Sequence, residues 1–336
     1  MVSRPWAETV FAELTFDFGT DHGQTGAYTP VLVRLGGSGS RSALVFAAGA
    51  VALWATNALV GKSLLASHSV SQVQFLQFVG AALVFALIRL IGREGGRRRM
   101  PQDGEAGMSA ALVPFAVGII GLVGTMILQY VAFASMPVIE ANLVAYTWPL
   151  MVAAAIIVLD RPRRPALLGI TAALGFVGVA LVISGGREQS WFQGNLDGYL
   201  AAFGSALCMA FYSIVVGRLA TSPDRLLLPS ALVGVGLTFL WCVHDGVAWD
   251  IGPYLLAGLY LGAGPMGLGY YFWSRALKLD QGGKVAVAAY LTPIASTLLL
   301  TLSGERLTMT AIAGAVLVIG SCIAVGIEGS EAENHA

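Results

Sequence analysis

The chain has 336 residues, with 19 Lys and Arg against 19 Asp and Glu, so its formal net charge of +0 gives no basic surface for nucleic acid. Only 11% of residues are charged, against roughly 25% in a soluble domain, and 56% are hydrophobic. With a mean hydropathy of +0.75 this excludes a soluble domain, which could not cover its surface with so few charges, and points to an all-α integral membrane protein.

Residues 1–41 stand apart. They carry Glu8, Glu13, Asp17 and Asp21 among Gly and Ser, without a long apolar run. No basic stretch is followed by an apolar core, so the segment does not read as a signal peptide; a disordered or loosely ordered cytoplasmic tail is expected. Beyond it, runs of about 20 apolar residues read as spanning helices. They predict ten transmembrane helices at 42–65, 70–91, 109–134, 137–159, 165–184, 197–220, 226–243, 252–277, 281–303 and 309–327. The expected organisation is a first five-helix repeat over 42–184, a periplasmic loop over 185–194, a second repeat over 195–327 and a cytoplasmic tail over 328–336.

Basic residues orient the predicted helices. With a cytoplasmic amino terminus, all Lys and Arg except Lys62, Arg187 and Arg306 fall on the cytoplasmic side. Both termini are then cytoplasmic.

An internal repeat supports this reading. Glu140 opens an apolar run that reaches Tyr146-Thr147-Trp148-Pro149, and Lys284 opens another that reaches Tyr290-Leu291-Thr292-Pro293. Aligned on the prolines, Tyr146 pairs with Tyr290 and Glu140 with Lys284; slightly further on, after a one-residue shift, Gly169 and Gly175 pair with Gly314 and Gly320, and upstream 52–62 pairs with 208–218. Five helices per half is an odd number, so the halves enter the membrane from opposite sides: two inverted five-helix repeats, suited to alternating access. Pro149 and Pro293 interrupt their helices, since proline removes a backbone hydrogen bond.

Polar groups in hydrocarbon need a partner or water, which makes mid-depth polar and aromatic residues candidates for a substrate pathway. These are Trp54, Asn57, Gln74, Gln77, Gln129, Tyr146, Trp148, Tyr212, Tyr270, Trp273, Tyr290 and Thr292. Packing alternatives stand beside them. Gln74 and Gln77, three apart and on one helix face, can equally bond neighbouring helices; Trp273 can be an interfacial anchor. Glu140 reads either as a proton or charge site or as a solvated acid favoured by a helix amino terminus. The inventory is aromatic and neutral, which suits a zwitterion or an amphipathic molecule rather than a polyphosphate. Cys208, Cys242 and Cys322 are far apart, without CxxC or Cys/His pairing, so neither metal nor disulfide is expected, and no cofactor is implied.

Ala52-Leu53-Trp54-Ala55-Thr56, the twin Tyr-x-x-Pro segments and Tyr270-Tyr271-Phe272-Trp273 resemble the drug/metabolite transporter superfamily, EamA type, over about residues 42–327. Within it the likeness is to exporters of aromatic amino acids. It implies an inner-membrane transporter of Phe, Tyr or Trp, with Trp54, Tyr146, Trp148, Tyr212, Trp273 and Tyr290 on motif positions. Where the exporter pattern carries histidines, Ser135-Met136-Pro137 stands instead. The partners expected are a small-molecule substrate and the lipid bilayer, without nucleic acid, for a monomer. Three alternatives are weighed. For cationic-drug efflux, small multidrug carriers of the resembled superfamily rely on an acid inside the first helix, and 42–61 holds none. A membrane enzyme would show HExxH, GxSxG or clustered carboxylates, which are lacking. A receptor or scaffold has no need of two-sided symmetry.

Overall fold

The structure is a computed structural model, and it describes residues 38–95, 108–159, 164–184, 195–219, 221–249, 251–279, 284–302 and 308–334. All regular structure among them is helical, as lipid demands of a chain that must satisfy its own backbone groups. In chain order the elements are α1 Ser38–Leu65, α2 Val70–Gly95, α3 Met108–Gly118, the π-helix π1 Ile119–Gly124, α4 Thr125–Ser135, α5 Val138–Ala145, α6 Trp148–Leu159, α7 Pro165–Ser184, α8 Leu196–Arg218 and α9 Pro223–His244. There follow α10 Pro253–Leu261, the π-helix π2 Gly262–Leu268, α11 Gly269–Leu279, α12 Lys284–Ala288, α13 Leu291–Leu302 and α14 Met309–Asn334.

Seven helices among the described residues are long and apolar enough to cross a membrane, from Ser42–Leu65 to Arg225–His244; Val285–Leu299 and Met309–Ala324 are shorter apolar helices. The predicted tail 1–41 lies outside the described residues except at its end, where α1 opens at Ser38. The predicted loop 185–194 lies outside them as well. At the other terminus α14 runs on to Asn334, through most of the segment expected as a tail. Its Glu and Ala residues are good helix formers.

Local sequence explains the ends and breaks. Asn195 caps α8 by accepting the Gly198 N–H at 2.8 Å, and Pro223 and Pro253 open α9 and α10, where a missing N–H is tolerated. The two Tyr-x-x-Pro helices are interrupted at the tyrosines. Tyr146 and Thr147 separate α5 from α6, and Ala289 and Tyr290 separate α12 from α13. Each proline then sits in the first turn of the following helix. Thr292 N–H bonds to the Ala289 carbonyl, which Pro293 cannot serve. The sequence contained no warning of π1 and π2, which stand at the same place, to within a residue, relative to Pro149 and Pro293.

Packing joins the two halves. The most extensive pairs are α7 with α14, α2 with α9, α1 with α11, and α4 with α8; α13 also lies on α1 and α6 on α8. Glycines permit the closest crossings. A Cβ on Gly178 would meet the Gly314 carbonyl, and one on Gly314 the Gly178 carbonyl, so α7 and α14 touch backbone to backbone. Gly80 of α2 and Gly262 of π2 meet in the same way. The main apolar core is shared, with Phe78, Phe85 and Trp148 beside Tyr212, Tyr270, Trp273 and Tyr290.

Candidate functional site

A cavity opens between the two halves of the chain. Trp54 and Asn57 of α1 line it, with Thr125, Met126 and Gln129 of α4. Ala145, Tyr146 and Trp148 contribute from the α5–α6 break, Ser205, Ala206 and Met209 from α8, and Pro265, Met266 and Tyr270 from π2 and α11. No charged side chain is among these residues.

The aromatic wall is a continuous cluster. Trp54 lies 5.3 Å from Trp273 and 6.0 Å from Tyr270, ring centre to ring centre, while Trp148 meets Trp273 edge-on at 5.4 Å. Behind the wall Tyr212 packs on Tyr270 at 5.6 Å. Ser274 donates to the Tyr270 carbonyl at 2.6 Å, so its oxygen is left to accept the Tyr212 hydroxyl at 2.7 Å. Trp273 Nε1 donates to Ser213 Oγ at 3.1 Å. Trp273 is therefore a fully buried strut, not an interfacial anchor. Polar capacity remains on the wall itself: the buried Thr125 and Tyr270 hydroxyls lie near each other, yet neither makes a well-formed hydrogen bond.

Of the residues singled out from sequence, Trp54, Asn57, Gln129, Tyr146, Trp148 and Tyr270 line the cavity. Tyr212 and Trp273 brace them from behind. Gln74 and Gln77 are fully buried in α2 and reach the cavity only through Tyr130, which bonds to Asn57. Tyr290 is 0% exposed and is not among the lining residues; its ring lies against Gly175, where a Cβ would collide with it. Thr292 is buried and faces the Tyr146 hydroxyl, so the two break segments approach each other there. Glu140 is 3% exposed and accepts a hydrogen bond from Tyr199, so it is not the solvated acid that one sequence reading allowed. The Lys284 side chain lies outside the described residues. Thr125, Ser205, Met209 and Met266 were missed from sequence, since small hydroxyls and methionines in an apolar helix carry no signal of which face they occupy. Tyr130, next to Gln129 in the chain, is brought to Gln77 only by the packing of separate helices.

A model of the EamA-like transporter family matches residues 41–184 and 196–327. The chain belongs to the EamA-like transporter family. It is accordingly a multi-pass membrane transporter, as the resemblance implied. This EamA-like transporter is 31% identical over 283 residues to the aromatic amino acid exporter YddG of Ancylobacter novellus, covering 82% of this chain and 94% of the relative. It is 26% identical over 252 residues to YyaM, an uncharacterized transporter of Bacillus subtilis (strain 168), covering 71% and 79%. A solved crystal structure with 27% sequence identity superposes with a TM-score of 0.73, covering 86% of this chain and 99% of its own.

Proposed function

We propose that this EamA-like transporter exports amino acids, aromatic ones foremost, across a bacterial inner membrane by alternating access through the central cavity. The observation that carries the reading is the cavity wall: Trp54, Tyr146, Trp148 and Tyr270 line it, and no charged side chain is among its described lining residues. Flat aromatic faces stack on a ring and attract an ammonium group, and the unspent Thr125 and Tyr270 hydroxyls suit a polar head group. The likeness to an aromatic amino acid exporter supports the same substrate class.

Ten spanning segments in two inverted repeats, with both termini cytoplasmic, fit this mechanism. The family model matches each half separately. Exchanging the halves turns α1 on α11 into α8 on α4, and α1 on α13 into α8 on α6, and all four pairs are packed. Breaks at Tyr146 and Tyr290 and the paired π-helices obey the same exchange. Efflux of cationic drugs is the less favoured reading, because the cavity wall offers no acidic side chain.

The test is counterflow in proteoliposomes holding the purified protein. Exchange of Phe, Tyr or Trp well above empty vesicles is expected; vesicles that exchange no amino acid refute the proposal.

A further inference from the structure

A continuous hydrogen-bond chain runs from inside α2 to the cavity wall. Gln74 Nε2 donates to Gln77 Oε1, Gln77 Nε2 donates to the Tyr130 hydroxyl at 2.7 Å, and Tyr130 donates to Asn57 Oδ1 at 3.3 Å. Gln74, Gln77 and Tyr130 are each 0% exposed, so the first two links are shielded from bulk solvent. Gly61 of α1 closes over the junction, where a Cβ would stand 3.0 Å from the Tyr130 hydroxyl.

The sense of the chain follows from its buried end. As it stands, Gln74 Oε1 has no partner. Rotating every amide would instead leave the Gln74 amide nitrogen without any acceptor, two N–H groups stranded together. Buried orphan N–H groups are rarer than under-satisfied carbonyl oxygens, so the observed sense is the better one. Tyr130 has a single proton, and having accepted from Gln77 it gives that proton to Asn57. With Oδ1 held by Tyr130, the Asn57 amide keeps its Nδ2 for the cavity that Asn57 lines.

We propose that Asn57 Nδ2 is the donor that binds the substrate carboxylate, and that Tyr130 and Gln77 are positioning residues that fix which edge of this amide faces the substrate. The inference rests on the amino-acid reading of the cavity. A wall without Lys or Arg must hold a carboxylate with neutral donors, and a hydrogen bond to an ion is stronger than one between neutral groups. The free acid is thereby preferred to the carboxamide, whose oxygen is a weaker acceptor.

The test compares phenylalanine with phenylalaninamide as substrates of the full chain in proteoliposomes. Asn57→Asp replaces the donor with an anionic acceptor; it should raise KM for phenylalanine about tenfold or more while that for phenylalaninamide, a cation, does not rise. Tyr130→Phe keeps the ring and frees the amide to rotate. It should raise the phenylalanine KM severalfold at unchanged maximal rate, again sparing phenylalaninamide. A general structural defect would move both substrates together. Parallel changes in the two KM values, or an unchanged preference in Asn57→Asp, overturn the inference while leaving the export reading intact. Wild-type vesicles that transport no amino acid overturn that reading, and the inference falls with it.

Discussion

The indole N–H of Trp54 donates to the carbonyl of Pro265 at 3.0 Å, tying α1 to π2. The π-helix explains why that carbonyl is available. The Gly269 N–H, which an α-helix would direct to Pro265, bonds to Gly264 instead. Trp54 supplies the missing donor and, from the same position, forms part of the cavity wall. Trp54→Phe keeps an aromatic face but leaves the carbonyl unsatisfied. It should lower stability by about 1–3 kcal/mol, read as a lower Tm in detergent, together with weaker transport.

The two tyrosines at the helix breaks have different surroundings, and their variants should behave differently. Tyr146→Ala removes cavity wall and should raise KM for an aromatic substrate several-fold with little change in Tm. Tyr290→Ala opens a hole against Gly175 and should destabilise by about 3 kcal/mol or more. Transport and Tm measured on both variants separate the two roles; equal behaviour would contradict the distinction.

Gly178 and Gly314 hold α7 and α14 at backbone contact. Gly178→Leu should force the helices apart and lower the yield of monodisperse protein, while Gly236→Ala, with nothing within 4 Å of the added methyl, should be silent. Size-exclusion profiles after detergent extraction read the difference.

Glu140 in the first turn of α5 accepts from Tyr199 of α8. Removing that donor in Tyr199→Phe should lower stability by roughly 1–3 kcal/mol, because a buried carboxylate then lacks one of its hydrogen bonds. Glu140→Gln keeps an acceptor. If Glu140 carries coupling protons, this variant abolishes the response of efflux to an imposed pH gradient while retaining exchange at equal pH. A response identical to wild type assigns Glu140 to structure alone.

Beyond the end of α9, the Ser71 hydroxyl donates to Asp245 at 2.6 Å and, with the neighbouring His244, holds its carboxyl below the ordinary carboxylate value. A carboxyl whose folded value is depressed stabilises the fold above the unfolded value, and this contribution disappears as pH falls through the folded one. The Tm gap between wild type and Asp245→Asn should therefore be present near neutral pH and close in acid. A gap that widens on acidification would reverse the assigned sign.

Much of the architecture was legible in the linear chain, for a physical reason. In lipid each crossing segment must be apolar and satisfy its own hydrogen bonds, so helices announce themselves by composition within one segment. The predicted segment 165–184 recurs as α7, and the interruptions near Pro149 and Pro293 were visible because proline lacks an N–H. The order of basic residues and the doubled Tyr-x-x-Pro segment were likewise local facts. What the linear chain left open was the use of each polar side chain. Tyr146 and Tyr290 have near-identical contexts, yet one lines the cavity and the other is buried against Gly175. Gln74 and Gln77 look like pathway residues until Tyr130 is placed between them and Asn57. Only the tertiary structure decides such matters, because they depend on which helix lies opposite, and helix pairing in lipid is chosen by close steric fit at residues such as Gly178 and Gly314, which hydropathy does not encode.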